Sequence, residues 1–299
     1  MVGLIRGHEM MSGRINEVYQ KLFRRALTIY VWSISLTIFY TFLSNSIKHY
    51  VPIKPEIISD TSFWFILWNT LTLRYSYGWA DFLNYYAVFL LGAIPVLFLL
   101  NKGKTWLVLF LSVSLWLLRE YNFYFAWQIL FVIGIVVGYF FHRLEKNFIA
   151  LSLKLRLAVC FIFLFITIGT LITSALIVYF SEVAVTTPLL NIINENANIW
   201  FDKMTLAPGR LFLAVMWFTT LFAFVRHYED VFMRRLGWFL VPIGRNSLFV
   251  YIFQSVLIYV LYPMLSIPSG FSTNFLINLF SIVLVWFAAR HFIRYRFVV

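Results

Sequence analysis

The chain has 299 residues, 62% of them hydrophobic and only 12% charged, with a mean hydropathy of +0.84. A soluble globular domain lies nearer half apolar and a quarter charged, so that class is excluded and a polytopic membrane protein is expected. The net charge of +12 raises nucleic acid as a partner, but membrane topology explains its distribution better, and the single Cys160 excludes an intrachain disulfide and a cysteine-based metal cluster.

Met1 to Arg25 is polar and basic, with no apolar run of the kind a signal peptide carries. Crossing the bilayer takes about 20 residues. Eight stretches qualify, near 26–45, 82–100, 105–119, 125–141, 157–180, 210–226, 246–264 and 273–292. Between the first two, Phe63-Trp64-Phe65-Ile66-Leu67-Trp68 is apolar for only about a dozen residues before Arg74, which predicts an interfacial or re-entrant helix.

Charge tests this layout. With a cytoplasmic N-terminus, most of the 24 Lys and Arg fall on inner linkers, and only Lys48, Lys54, Arg74, Arg119, Lys203 and Arg210 remain outside. That bias is the positive-inside pattern, and counting 63–73 as a full span would reverse it. The sequence therefore predicts an all-α transmembrane bundle of about eight spanning helices plus one interfacial or re-entrant helix, forming one domain over 1–299. Both termini are expected in the cytoplasm, the inner linkers short and basic, and two larger loops outside, near 46–81 and 181–209.

Polar groups at membrane depth are costly, so each is a candidate for function. Asp81 opens a span in Tyr77-Gly78-Trp79-Ala80-Asp81-Phe82-Leu83-Asn84-Tyr85, where an acid either orients a base or accepts a substrate hydroxyl, or caps the helix. Trp127-Gln128 starts another span. Gln128 can bind a carbonyl or a sugar hydroxyl, or make an interhelical hydrogen bond, and Trp127 suits an interfacial belt. In Phe201-Asp202-Lys203-Met204-Thr205-Leu206-Ala207-Pro208-Gly209-Arg210, two cations and a carboxylate precede a helix. They either hold an anionic acyl group or form an ordinary interfacial ion pair. Arg245 precedes Asn246-Ser247 at an inner helix start, as an anion ligand or a positive anchor. His8, His49, His142, His227 and His291 all fall in flanks or loops, and no HExxH, Walker or GxSxG motif is present.

The succession Arg24-Arg25-Ala26 to Tyr30, then Asp81, Leu83 and Tyr86, then Trp127, Gln128, Phe131 and Gly134, resembles the OpgC family. Phe201-Asp202-Lys203, Thr205-Leu206 and Arg210, followed by Gly244-Arg245, Ser247-Leu248 and Val250, continue it in the same order. The likeness covers nearly the whole chain. It implies an integral-membrane acyltransferase of the bacterial inner membrane, multi-pass, that transfers an acyl group, succinyl in the namesake, to osmoregulated periplasmic glucans. No bound cofactor is implied, and the acyl donor is left open, as is the oligomeric state. The implied partners are membrane lipid and the glycan acceptor.

The resemblance also implies supporting roles. Asp81 orients, Gln128 binds a carbonyl, and Arg210 binds an anion, with Tyr85, Trp127, Asp202, Lys203 and Arg245 as further substrate contacts. Family members carry an N-terminal helix with an Arg-Gly and then a His, the probable general base of the wider superfamily. Gly3-Leu4-Ile5-Arg6-Gly7 matches the tail of their second helix, so two helices and the catalytic His are expected to be missing from this chain, and His8 is not that residue. Asn246 stands where the family often has His. The competing expectations are a transporter or flippase of an acyl or sugar precursor, which needs a continuous polar path, and an inactive truncated remnant.

Overall fold

Helices dominate because an apolar chain in lipid must satisfy its backbone N–H and C=O groups internally. The computed structural model describes residues 15–46, 62–77, 80–182, 199–265 and 271–291. The Gly3–Gly7 segment, His8, His49, Lys48, Lys54 and most of both expected outer loops lie outside the described residues. In chain order the helices are α1 (Ile15–Ser46), α2 (Phe63–Leu71), α3 (Asp81–Asn101), α4 (Thr105–Leu117), α5 (Phe123–Tyr139), α6 (Phe141–Ala150), α7 (Leu153–Glu182), α8 (Pro208–His227), α9 (Glu229–Arg245), α10 (Ser247–Leu265) and α11 (Phe271–His291).

Each of the eight expected stretches is a helix. By length and apolarity five of these helices can cross a membrane, α1, α3, α7, α8 and α11, or seven if the bent pairs α5–α6 and α9–α10 each count as one span. α4 has 13 residues; at a rise of about 1.5 Å per residue it falls short of an apolar core about 30 Å thick. α2 is the expected short interfacial-type helix, with Trp64 and Trp68 exposed and Thr70 buried. The linkers expected on the inner side are not all short loops. Two of them fold as amphipathic helices, α6 and α9, bent by 66° from α5 and by 84° from α10.

The chain divides into two compact units. The first contains residues 92–229 with the start of α1. Its α4 and α5 form a hairpin, joined across Ser112 and Gln128. α7 and α8 pair through hydroxyls, Thr167 with Thr220 at 2.9 Å and the Trp217 indole N–H donating to Thr170 at 2.9 Å. Such bonds join helices where lipid gives no hydrophobic drive for association. Before α4, the turn after α3 closes with Gly103 at φ +72°, its N–H donating to Leu100 and the Lys104 N–H to Leu99. That is a Schellman cap, and the left-handed residue in it favours glycine.

The second unit contains residues 20–91 and 230–299. Within it, α1 buries a stripe at helical spacing whose first half is apolar (Leu22, Ala26, Ile29) and whose second half is polar (Ser33, Thr37, Tyr40, Thr41). α3 answers with Leu83, Asn84, Ala87 and Leu90. The α2 helix ends in the same kind of cap as α3, but with Leu73 at φ 58° in the left-handed position, and the Tyr30 hydroxyl donates to the Leu71 carbonyl. α9 packs on α11, where the Trp286 indole donates to the Trp238 carbonyl and meets the Trp238 ring edge-on at 5.2 Å.

Candidate functional site

Two clusters gather the candidate residues, one in each unit. In the second unit, Asp81 begins α3, and its carboxylate accepts the Phe82 N–H at 2.6 Å. A carboxylate is favoured there by the helix dipole. Asp81 also lies within electrostatic reach of the Tyr85 and Tyr251 hydroxyls, and the Phe82 ring packs on the Tyr251 ring at 5.5 Å. One turn into α3, Asn84 is buried and accepts the Ser33 hydroxyl at 2.5 Å; Ser33 also approaches the Ala80 carbonyl at 3.0 Å. Further along α1, the Tyr40 hydroxyl donates to Ser255 at 2.6 Å, and Ser255 donates to the Ile252 carbonyl. Between them Thr37 is fully buried, and its hydroxyl makes no hydrogen bond among the described residues. At the end of the stripe, Thr41 bonds Tyr75 at 3.2 Å. Burial raises the Tyr75 phenol above its ordinary range, with Thr41 opposing the shift.

In the first unit, the Gln128 amide donates to the Ser112 carbonyl at 2.7 Å and to Phe125 at 3.3 Å, while its oxygen accepts the Ser112 hydroxyl at 2.9 Å. All of its hydrogen-bonding groups are thus engaged within the α4–α5 hairpin. Trp127 stacks on Phe123 at 5.3 Å and packs against Ala126, Ile129 and Leu206; its indole N–H is buried with no hydrogen bond among the described residues.

Leu206 brings in the loop before α8. It is buried at φ 46°, a left-handed position that costs a leucine about 1–2 kcal/mol, and the Trp116 indole donates to its carbonyl at 3.2 Å. Asp202 organises the loop by accepting both the N–H and the hydroxyl of Thr205 at 2.7 Å, and these two bonds hold its carboxyl below the ordinary 3.8. Arg210 donates to the Phe201 carbonyl at 3.2 Å. Gly209 admits no side chain, because a Cβ there would lie 2.7 Å from the Phe201 ring and 2.8 Å from the Trp200 carbonyl.

The structure therefore joins Asp81 with Tyr85 in one cluster, and Gln128, Trp127, Asp202 and Arg210 in the other. Lys203 is exposed and makes no ion pair among the described residues. Arg245 closes α9 with an exposed side chain, while the neighbouring Asn246 amide donates to the carbonyls of Pro242 and Ala289. Sequence reasoning passed over Ser33, Thr37, Tyr40, Asn84, Tyr251 and Ser255. The i, i+4, i+8 run Ser33–Thr37–Thr41 inside an apolar helix was the available signal for the first of these. Tyr251 and Ser255 carry no such signal. Among the described residues no group of His, Cys, Asp and Glu is placed to hold a metal ion.

The Asp81 cluster can accept a proton or a hydrogen bond from a hydroxyl and can donate phenolic hydrogen bonds to an oxygen gaining charge. The Trp116–Leu206 hydrogen bond ties the loop before α8 to the α4–α5 hairpin. In comparison with known proteins, a family model described as OpgC protein matches residues 1–296. No curated protein and no solved structure matches the chain.

Proposed function

The chain belongs to the OpgC family, and from that premise we propose that it is a membrane acyltransferase, moving a succinyl-type group onto a hydroxyl of a periplasmic glucan at the bacterial inner membrane. The observation that carries this reading is the Asp81 carboxylate at the start of α3, next to Phe82, whose ring packs on that of Tyr251. In the reaction the acceptor oxygen attacks the acyl carbonyl carbon, loses its proton to a base, and the bond to the donor breaks. Asp81 orients the acceptor hydroxyl, and a tyrosine hydroxyl donates to the oxygen that becomes negative. In the first unit, Gln128 fixes the hairpin and Asp202 the loop that carries Lys203 and Arg210, two positive charges suited to an anionic group.

Glucan from cells with and without the protein tests this by mass spectrometry. Acyl substituents should depend on the protein, and Tyr251→Phe should reduce their formation on the order of a hundredfold. Unmodified glucan at normal membrane levels of the protein contradicts the proposal. A transporter or flippase is the second reading, favoured by the buried polar run Ser33–Thr37–Tyr40 in α1. Protein-dependent uptake of free precursor into vesicles, with no acylated glucan, would select it.

A further inference from the structure

Arg119 lies in the turn between α4 and α5, just past the end of α4, where the helix dipole favours a cation. Its guanidinium stands over the Trp116 ring, 4.7 Å from the centroid, and its side chain is only 23% exposed. The Nε atom is buried and makes no hydrogen bond among the described residues. The one carboxylate within 4 Å among those residues belongs to the exposed Glu120, at 3.6 Å, too long for a hydrogen bond. A guanidinium held mostly out of water in this way is under-satisfied, because N–H groups that leave water need acceptors. What holds it is the ring. Trp116 is itself fixed, its indole donating to the Leu206 carbonyl at 3.2 Å and its side chain packed on Ala126, Ile129 and Leu206. Trp127 packs on the same cluster, and its buried indole N–H also lacks an acceptor among the described residues. The end of the hairpin that meets the loop before α8 thus carries two unused donors.

We propose that Arg119 is a carboxylate-binding residue whose planar fork takes the free carboxylate of a dicarboxylic acyl group. A guanidinium stacked on an aromatic face keeps its edge free, and that edge matches the two oxygens of a carboxylate. Stacking sets the fork before the ligand arrives, so little side-chain entropy is lost on binding. The loop that Trp116 binds also carries the exposed Lys203, whose charge draws anions toward this end of the hairpin. The identity of the acyl group rests on the acyltransferase reading; the carboxylate site itself does not.

The test treats the full chain in phosphatidylcholine nanodiscs with phenylglyoxal, which modifies guanidinium groups, and follows the Arg119 peptide by mass spectrometry. Saturating succinate should slow the modification of Arg119 about tenfold. Succinamide, and inorganic phosphate at equal ionic strength, should leave it unchanged. In acyl transfer to glucan, Arg119→Lys should lower the preference for succinyl over acetyl donors about tenfold, since lysine keeps the charge and loses the fork. Modification that succinate does not slow overturns the proposal. Equal protection by phosphate also overturns it, because it marks a general anion contact. Protection by succinate without acyl transfer from any donor keeps the site and removes the acyltransferase reading; transfer with Arg119 unprotected does the reverse.

Discussion

At the scale of single residues, two positions have a backbone whose cost is visible. Gly209 sits against the Trp200 carbonyl and the Phe201 ring. Gly209→Ala should destabilise the protein by about 1–3 kcal/mol, because the carbonyl cannot move without opening the loop. A lower thermal midpoint in detergent, with faster proteolysis at the 199–207 loop, would register this; an unchanged midpoint would remove the close approach from the account. Leu73 holds a left-handed conformation in the α2 cap. Leu73→Gly should therefore stabilise by about 1 kcal/mol, and a fall in the thermal midpoint would show that its side-chain contacts outweigh the strain. Asp81 was legible in the sequence as an acid opening an apolar span. Its partner Tyr251 was not, since a tyrosine in an apolar stretch reads equally as belt or core, and only tertiary packing sets it beside Phe82.

At the scale of elements, the loop from Asp202 to Arg210 is held by a carboxylate that accepts two bonds from Thr205. Its folded pKa lies below 3.8. The stabilisation is thus fully present above 3.8 and is lost as pH falls through the lowered value. Protease sensitivity of the loop should rise on acidification, and Asp202→Asn should show the loosened state at neutral pH with little further pH dependence. A loop equally protected in both proteins at every pH would contradict this. Helix α2 was legible because an apolar run too short to span has few other fates. The helices α6 and α9 were not, because their charges mark them as linkers when hydropathy is averaged. Only the 3.6-residue period of Phe141, Leu144 and Phe148, or of Met233, Leu236 and Leu240, reveals an amphipathic face. Gln128 shows the opposite outcome. A polar residue in an apolar helix was legible as costly, but not which of its possible partners it would meet; here it meets Ser112.

At the scale of the whole molecule, the apolar stretches fixed where helices form, because the bilayer allows a lone segment no other regular structure. They did not fix how many helices cross, since α4 is short and α5 and α9 join their successors through sharp bends. The distribution of lysine and arginine makes a sidedness expected that labelling can test. With Cys160→Ser as background, Lys203→Cys should react in intact cells with a membrane-impermeant maleimide, and Arg235→Cys only after lysis. The reverse pattern would invert the topology.

The acyl-transfer account meets its most direct measurement in reconstituted vesicles. Transfer of a labelled acyl group to glucan is compared between the protein and Asp81→Asn at equal insertion. The account predicts protein-dependent labelling of glucan that falls at least about a hundredfold in the variant. Undiminished transfer by Asp81→Asn, or no transfer by the unaltered protein across a panel of acyl donors, would contradict it.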